Sequence, residues 1–499
     1  MMLEKVLVAN RGEIAVRIIR ACQEMGIKTV AVYSQVDEKS PHVRLADTAV
    51  CLGDPTPSES YLNIAKLIEI ARETGADAIH PGYGFLAENP DFAHSCKTAG
   101  IKFIGPEAGV ISDMGNKIRA KKIMEDSGIP IIPGYHGEDQ SVENLVSIGR
   151  NIGFPLMVKA TSGGGGKGMK IVMKESDLKD SIESAQREAK SSFGDETVYI
   201  EKYLDEPRHI EFQILADEHG NVIHLNERDC SIQRRHQKIV EESPSPVVDQ
   251  ELREEMGEAA VKAAKAVDYT NAGTVEFMVD SKLDYYFLEM NTRVQVEHPI
   301  TEAITGVDIV KWQLKIASGM ELTISQEDVR PHGHAMECRI YAEDPVKGFL
   351  PCTGKISRLN LPRGPNVRND IGVVEGMEIS PYYDPMLGKL IVKGEDREDS
   401  INKMRWALSR YMVLGITTNI PFLRAVMDNE FFREGNITTH FIERHMKDWG
   451  DVTPEMPPEA LIAMAVYDHM HPKREEVVRY RESDPHSPWK SEGRWRIGV

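Results

Sequence analysis

Cysteine is scarce in this chain and follows no pattern. Six cysteines (Cys22, Cys51, Cys96, Cys230, Cys338 and Cys352) are scattered over 499 residues and never fall in C-x-x-C spacing. That excludes a disulfide scaffold and a zinc ribbon, and it suits a reducing cytoplasm. Long apolar runs are missing as well: none approaches the ~20 residues of a membrane span, and the one that opens the chain is too short for a signal peptide. The expectation is a cytoplasmic protein without a membrane segment. There is no excess of positive charge, since 60 Lys+Arg face 78 Asp+Glu for a formal net charge of −18. Nucleic acid is therefore not expected as the main partner, although a local basic cluster can still hold a small anion. Low-complexity tracts and solenoid repeats are absent too.

What is present is ordinary globular composition, 41% hydrophobic and 28% charged, in a length that fits roughly three folded units. The first hundred residues alternate strand and helix patterns: strands over 5–10, 28–33, 48–52, 78–80 and 102–104, and helices over 13–25, over 61–73 and after Asn89-Pro90. Such alternation predicts βαβ units and a mainly parallel sheet. The first β–α turn, Val8-Ala9-Asn10-Arg11-Gly12-Glu13-Ile14, holds one glycine and not G-x-G-x-x-G, so the dinucleotide fingerprint fails. A second region, 111–328, opens with a helix over 116–126 and a strand over 155–160. A third, strand-rich region starts near Pro331 and closes with helices over 399–411 and 420–429. After about Lys447 the texture changes: six of the 27 prolines and three of the five tryptophans fall there, around a helix over 459–469.

Six segments carry chemistry. Ser162-Gly163-Gly164-Gly165-Gly166-Lys167-Gly168 lets backbone N–H groups approach a phosphate. A strand-like run follows it, so it is no P-loop; it is either a flap over a nucleotide or an exposed turn. The runs 274–279 and 285–291 form a hairpin that places Glu276 opposite Glu289, with Asn291 on the same face. Two carboxylates side by side repel unless a cation lies between them, and two carboxylates with an amide suit Mg²⁺ or Mn²⁺. The alternative is a solvated hairpin face. If the second strand continues, Arg293, Gln295 and Glu297 share a face beside that metal, able to bind an oxyanion and supply a general base. Arg228 to Lys238 is a dense basic stretch, either a solvated loop or a cradle for anions. His80-Pro81-Gly82-Tyr83-Gly84-Phe85 ends a parallel strand, where α/β ligands tend to lie. Arg339, among apolar neighbours, needs either a structural carboxylate or an anionic ligand.

As a set, these segments resemble the biotin carboxylase family of ATP-grasp enzymes. The matching elements run in order from Ala9-Asn10-Arg11-Gly12-Glu13 through His80–Leu86 with Glu88-Asn89, Met114-Gly115-Asn116-Lys117, Lys159 with the glycine flap, Glu201-Lys202-Tyr203-Leu204 and Pro207-Arg208-His209-Ile210-Glu211. They continue through the basic stretch, the metal hairpin and Arg293–Pro299 to Tyr382-Tyr383-Asp384-Pro385-Met386. Resemblance extends from Leu3 to about His445. The one departure noted is Lys167, where arginine is as frequent, and the charge is kept.

The resemblance implies an α/β fold, α+β in part: an N-terminal doubly wound domain over 1–113, an ATP-grasp domain over 114–330 whose mobile glycine-rich lid covers about 133–203, a strand-rich C-terminal domain over 331–446 and a tail over 447–499. It implies that Lys117, Lys159, His209 and the backbone of Gly164, Gly165 and Gly166 hold ATP phosphates. Glu201, Lys202 and Leu204 would line adenine, with Gln233 and His236 between the nucleotide and bicarbonate sites. Glu276, Glu289 and Asn291 would hold Mg²⁺ or Mn²⁺. Lys238, Arg293, Gln295 and Val296 would bind bicarbonate, with Glu297 as general base. Arg339 would stabilise the biotin enolate and Tyr83 would border the biotin ring. The expected reaction is ATP-dependent carboxylation of biotin with bicarbonate through carboxyphosphate. The Ala-Met-Lys-Met context of a biotinylated lysine is absent, so biotin is expected on a separate carrier protein, with a carboxyltransferase as further partner. A homodimer is implied, with Arg20 and Glu24 at matching positions, and the tail is expected to pack on its own chain or to dock the partner subunit. The alternatives are another ATP-grasp ligase and a catalytically silent nucleotide-binding regulator.

Overall fold

The structure is a computed structural model that describes residues 2–135, 137, 139–160, 169–193, 196–235, 237–450 and 458–470. The glycine segment with Gly164, Gly165, Gly166 and Lys167, together with His236, Trp489 and Trp495, lies outside the described residues. Two compact units divide at Trp449/Gly450. The described part of the second is one helix, Pro458–Met470. Trp449 belongs to the first unit, where its ring meets Phe422 edge-on at 5.1 Å between centroids.

The alternation of the first hundred residues becomes a parallel sheet of β1 (Lys5–Val8), β2 (Lys28–Ser34), β3 (Thr48–Gly53), β4 (Ala78–His80) and β5 (Lys102–Phe103) in the order β3-β2-β1-β4-β5. Helix Gly12–Glu24 buries Ile14, Ile18 and Ile19 against it. Asparagine caps set several starts, with Asn63, Asn89 and Asn116 each accepting an N–H of the first turn. A short helix at Pro41–Leu45 was not anticipated by the periodicity; five residues are too few to show a period.

A small antiparallel sheet contains β6 (Gly134–Tyr135), β7 (Leu156–Ala160), β8 (Met169–Val172) and β9 (Val198–Lys202), ordered β6-β9-β7-β8. The largest sheet has eight strands: β10 (Arg208–Ala216), β11 (Val222–Arg234), β12 (Gln237–Ser243), β13 (Asn271–Val279), β14 (Tyr285–Asn291), β15 (His334–Tyr341), β16 (Val367–Ile371) and β17 (Met386–Gly394). Their order is β14-β13-β10-β11-β12-β15-β17-β16. This sheet runs across the limit expected near residue 330, because β12 pairs with β15 from Val240↔Cys338 to Ser243↔Ala335. Helix Gln250–Ala266 lays Ala260, Ala263 and Ala264 against a core that contains Phe212, Phe277 and Phe287; small side chains let helix and sheet approach closely.

Register turns this sheet into a platform. Glu289, Glu276, Glu211 and Arg228 stand side by side across β14, β13, β10 and β11. Further along, Glu241 faces Glu337, and Arg339 faces Lys389, which in turn faces Asp370. The hairpin reaches its Glu276↔Glu289 pairing through a bulge: near the turn Val279 pairs with Tyr285 and Phe277 with Phe287, and the extra residue Leu288 then shifts the register.

Candidate active site

Lys238 is the hub of the platform. Its Nζ donates to Glu211 at 2.5 Å, to Glu276 at 2.8 Å and to Glu297 at 2.8 Å. Burial alone would lower its pKa, but these three carboxylates hold it well above the usual lysine range. Arg228 stands beside it, fully buried. Its Nε donates to Glu211 at 2.5 Å and its other nitrogens to Gln213, Thr301, Thr274 and Gln295. The basic stretch is therefore neither a solvated loop nor a simple cradle. It is mostly two paired strands, and its first arginine is a core residue.

Glu276 gathers the residues expected around metal and ATP. It accepts from Asn291 Nδ2 at 2.8 Å and Gln295 Nε2 at 2.6 Å, and its second oxygen lies 2.7 Å from His209 Nε2. His209 Nδ1 meets Gln233 at 2.7 Å. Burial pushes the Glu276 carboxyl up, yet Lys238 and His209 outweigh it and hold it well below the usual range. Glu289 behaves in the opposite way: burial and the charge of Glu276 raise it. Among the described residues Glu289 has no hydrogen bond or ion pair of its own. A half-buried carboxylate without a protein partner for its side chain, opposite an ionised one, is an arrangement a divalent cation completes, and the all-oxygen donors suit Mg²⁺ or Mn²⁺. His209 and Glu211 also bring ligand atoms within 4.8 Å of one another and of Glu276.

The strand does not continue through Arg293, Gln295 and Glu297 as expected. β14 ends at Asn291, residues 292–297 form a turn, and helix His298–Thr305 follows. Convergence survives by another route. Glu297 precedes that helix and turns inward, 1% exposed, with one oxygen on Lys238 and the other 3.0 Å from Arg339 NH2. Burial would raise its pKa, but Lys238, Arg339 and Arg228 keep it well below the carboxylate range, so it is an ionised base. Arg293 turns toward the N-terminal part instead, donating to Glu88 at 2.8 Å and to Asn291 Oδ1 at 2.8 Å. The Val296 carbonyl accepts from Lys389 Nζ at 2.7 Å.

Of the two possibilities left open for Arg339, the structure shows carboxylate partners: its Nε donates to Glu241 at 2.6 Å and its NH2 to Glu297. Tyr83 donates to Glu13, which also lies 3.1 Å from the buried Lys389. The lysines around the small sheet form a separate cluster. Lys159 lies 2.7 Å from Glu201 and Lys121 holds the other Glu201 oxygen. Burial works to raise the Glu201 pKa, but Lys159 and Lys121 bring it down to about 2. Lys117 and Lys202 are exposed, and Leu204 is buried.

Sequence reasoning missed Glu211, Arg228, Lys121, Glu241 and Lys389 as members of the site. Glu211 had a signal, two residues from His209 on the same strand face. Glu241 had a weaker one, as the first polar residue after Ile239-Val240 on the strand that carries Lys238. The others became visible only through long-range pairing.

Comparison with known proteins agrees with this geometry over most of the chain. The family models described as biotin carboxylase N-terminal domain, carbamoyl-phosphate synthase L chain ATP-binding domain and biotin carboxylase C-terminal domain match residues 2–111, 116–325 and 337–444. One pyruvate carboxylase subunit, from Methanothermobacter thermautotrophicus, is 56% identical over 446 residues, 89% of this chain and 91% of that protein. The chain belongs to the biotin carboxylase family. Biotin carboxylase 1 of Bacillus subtilis is 53% identical, over 89% of this chain and 99% of its own. The biotin carboxylase domain dimer of a Hydrogenobacter thermophilus 2-oxoglutarate carboxylase, solved with MgADP, ADP and bicarbonate, superposes with a TM-score of 0.84 at 50% identity, covering 90% of this chain and 100% of that one. As a biotin carboxylase, the protein is an ATP-grasp enzyme, and some of its relatives are subunits of larger carboxylases. Among the described residues no helix is long and apolar enough to cross a membrane.

Proposed function

We propose that the face of the eight-stranded sheet activates bicarbonate with ATP and passes the carboxyl group to biotin, each residue taking the part the resemblance implies. The observation that carries this reading is the position of Glu297: ionised, 2.8 Å from Lys238 on one side and 3.0 Å from Arg339 on the other. It can take the bicarbonate proton as the bicarbonate oxygen attacks the γ-phosphate of ATP, giving carboxyphosphate and ADP. Lys238, Arg293, Gln295 and the Val296 backbone would orient the anion. Glu276, Glu289 and Asn291 would hold Mg²⁺ or Mn²⁺, whose charge offsets that of the phosphates. Lys117, Lys159 and His209 add to that neutralisation, while Glu201, Lys202 and Leu204 would line adenine. Carboxyphosphate then releases CO₂, the freed phosphate takes the ureido proton of biotin, and Arg339 stabilises the enolate oxygen beside Tyr83.

Biotin would arrive on a separate carrier protein, as the resemblance implies. A carboxyltransferase partner, a homodimer and a cytoplasmic setting complete the proposal; free thiols at all six cysteines are in keeping with the last. The proposed domain limits remain 1–113, 114–330, 331–446 and 447–499. The tail is proposed to dock the partner, and a truncation that tests this has to end after Trp449, because Trp449 packs on the core.

Arg339→Ala tests the reading. Carboxylation of free biotin should fall at least about 100-fold, while bicarbonate-dependent ATP cleavage measured without biotin changes by no more than about three-fold. Equal losses would assign Arg339 to general anion binding. A wild-type protein that releases no ADP above background with biotin and bicarbonate would instead be a silent regulator.

A further inference from the structure

Behind Arg339 lies a pair of acids that this assignment of roles does not use. Glu241 and Glu337 face each other across β12 and β15 and are both fully buried. Glu241 gives one oxygen to Arg339 Nε at 2.6 Å and leaves the other without a partner, and both oxygens of Glu337 are without one. A guanidinium is planar with its donors in a fixed fork, so a partner on Nε sets the direction in which the outer nitrogens point. Here Nε is on Glu241 and NH2 is on Glu297, the residue read as the base.

We propose that Glu241 is a positioning residue for biotin carboxylation: it anchors Arg339 by Nε so that the guanidinium edge stays aimed at the reacting centre once Glu297 has taken a proton. This rests on the assignment of Arg339 to the biotin enolate. While Glu297 is ionised, Arg339 is shared between two carboxylates. When Glu297 accepts the bicarbonate proton its charge is lost, and NH2 is freed for the enolate oxygen. Without Glu241 the side chain has no hydrogen-bonded anchor on Nε at that moment, and the orientation it needs in the transition state must be found from several rotamers. Glu241 touches neither bicarbonate nor nucleotide in this scheme, so its effect belongs to one half-reaction only.

Glu241→Gln tests this, measured alone and combined with Arg339→Ala. Expected is a fall of at least about ten-fold in kcat for carboxylation of free biotin, with the KM for ATP and biotin-independent ATP cleavage within about three-fold of wild type. In the Arg339→Ala background the same substitution should add no further loss. Equal losses in both half-reactions, or the same factor in both backgrounds, would overturn the proposal. If Arg339→Ala itself fails to separate the half-reactions, the enolate assignment falls and this inference falls with it. If Arg339→Ala separates them and Glu241→Gln does not, the inference falls alone. Should Glu241→Gln not fold, Glu241→Asp keeps the charge but shortens its reach, and the same split at smaller amplitude is expected; an even loss would again overturn it.

Discussion

The two charged regions of the molecule are built on opposite principles. On the eight-stranded sheet the cations at the centre of the face are already spoken for: Lys238 is shared by three glutamates, Arg339 by two, and Arg228 spends its donors on five side chains. Around the small sheet the balance is reversed, with Lys121 and Lys159 on one carboxylate, Glu201, and Lys117 and Lys202 exposed. The first region is neutralised from within, so an anion entering it has to displace an internal partner. The second carries spare positive charge and gains by receiving phosphate. A small, weakly nucleophilic anion needs tight orientation, whereas a polyphosphate needs charge, and each region has the arrangement its proposed ligand demands.

The sharpest way to break this contrast is Arg228→Met. It removes one of the two cations that hold the buried Glu211 and leaves Gln213, Thr301, Thr274 and Gln295 without their shared donor, and a loss of about 3–5 kcal/mol in stability is expected, read as a large drop in melting temperature; an unchanged melting temperature would mean that the sheet face is not held together by its own charges. Glu276→Gln should follow, lowering metal-dependent ATP turnover about 100-fold or more while far-UV circular dichroism is unchanged. Glu289→Gln should do less, because Glu289 supports no other side chain, and manganese titration of both variants checks the order. Lys159→Gln belongs to the other region. The KM for ATP should rise about ten-fold with almost no change in melting, because Lys121 keeps Glu201 paired; a large stability loss would show that this cluster is structural after all.

The smallest effect concerns pH. Burial pushes the Glu337 carboxyl well above its usual range, opposed by Lys389 and Arg339 and reinforced by Glu241 and Glu297. The folded protein therefore binds a proton there that the unfolded chain releases above about pH 4.3, and this contribution to stability declines as pH rises from that value toward the folded pKa. Glu337→Gln removes the titration. Relative to wild type it should melt higher at pH 8 than at pH 5 by about 1–3 °C, and a parallel shift at both values would assign the effect to packing.

Much of this was legible in the sequence, for identifiable reasons. A turn centred between Lys282 and Leu283 opposed Glu276 and Glu289, a pairing the molecule reaches from a register one residue off only through its bulge, and alternation was enough for the parallel N-terminal sheet. The bulge at Leu288 was invisible, because an inserted residue leaves the hydrophobic pattern nearly intact. Glu297 was placed beside the metal hairpin by assuming a strand, yet a turn before a helix brings it into the site, against Lys238. Nothing local distinguishes the two, since residues 293–297 alternate polar and apolar in either case. Arg228 read as part of a solvated loop or an anion cradle, and not as a core residue, because its five partners come from segments up to 73 residues away. The fate of Trp449 likewise depended on Phe422, which no local pattern links to it.

The ladder between β12 and β15 has a practical corollary for anyone cutting this protein into pieces. Family models end at residue 325 and resume at 337, which invites expression of the nucleotide-binding part by itself. A cut there severs the pairing from Val240↔Cys338 to Ser243↔Ala335 and leaves an unpaired strand edge on each fragment. Such edges recruit other edges, and each fragment is expected to self-associate in solution. Boundaries drawn by inheritance need not be places where a molecule comes apart.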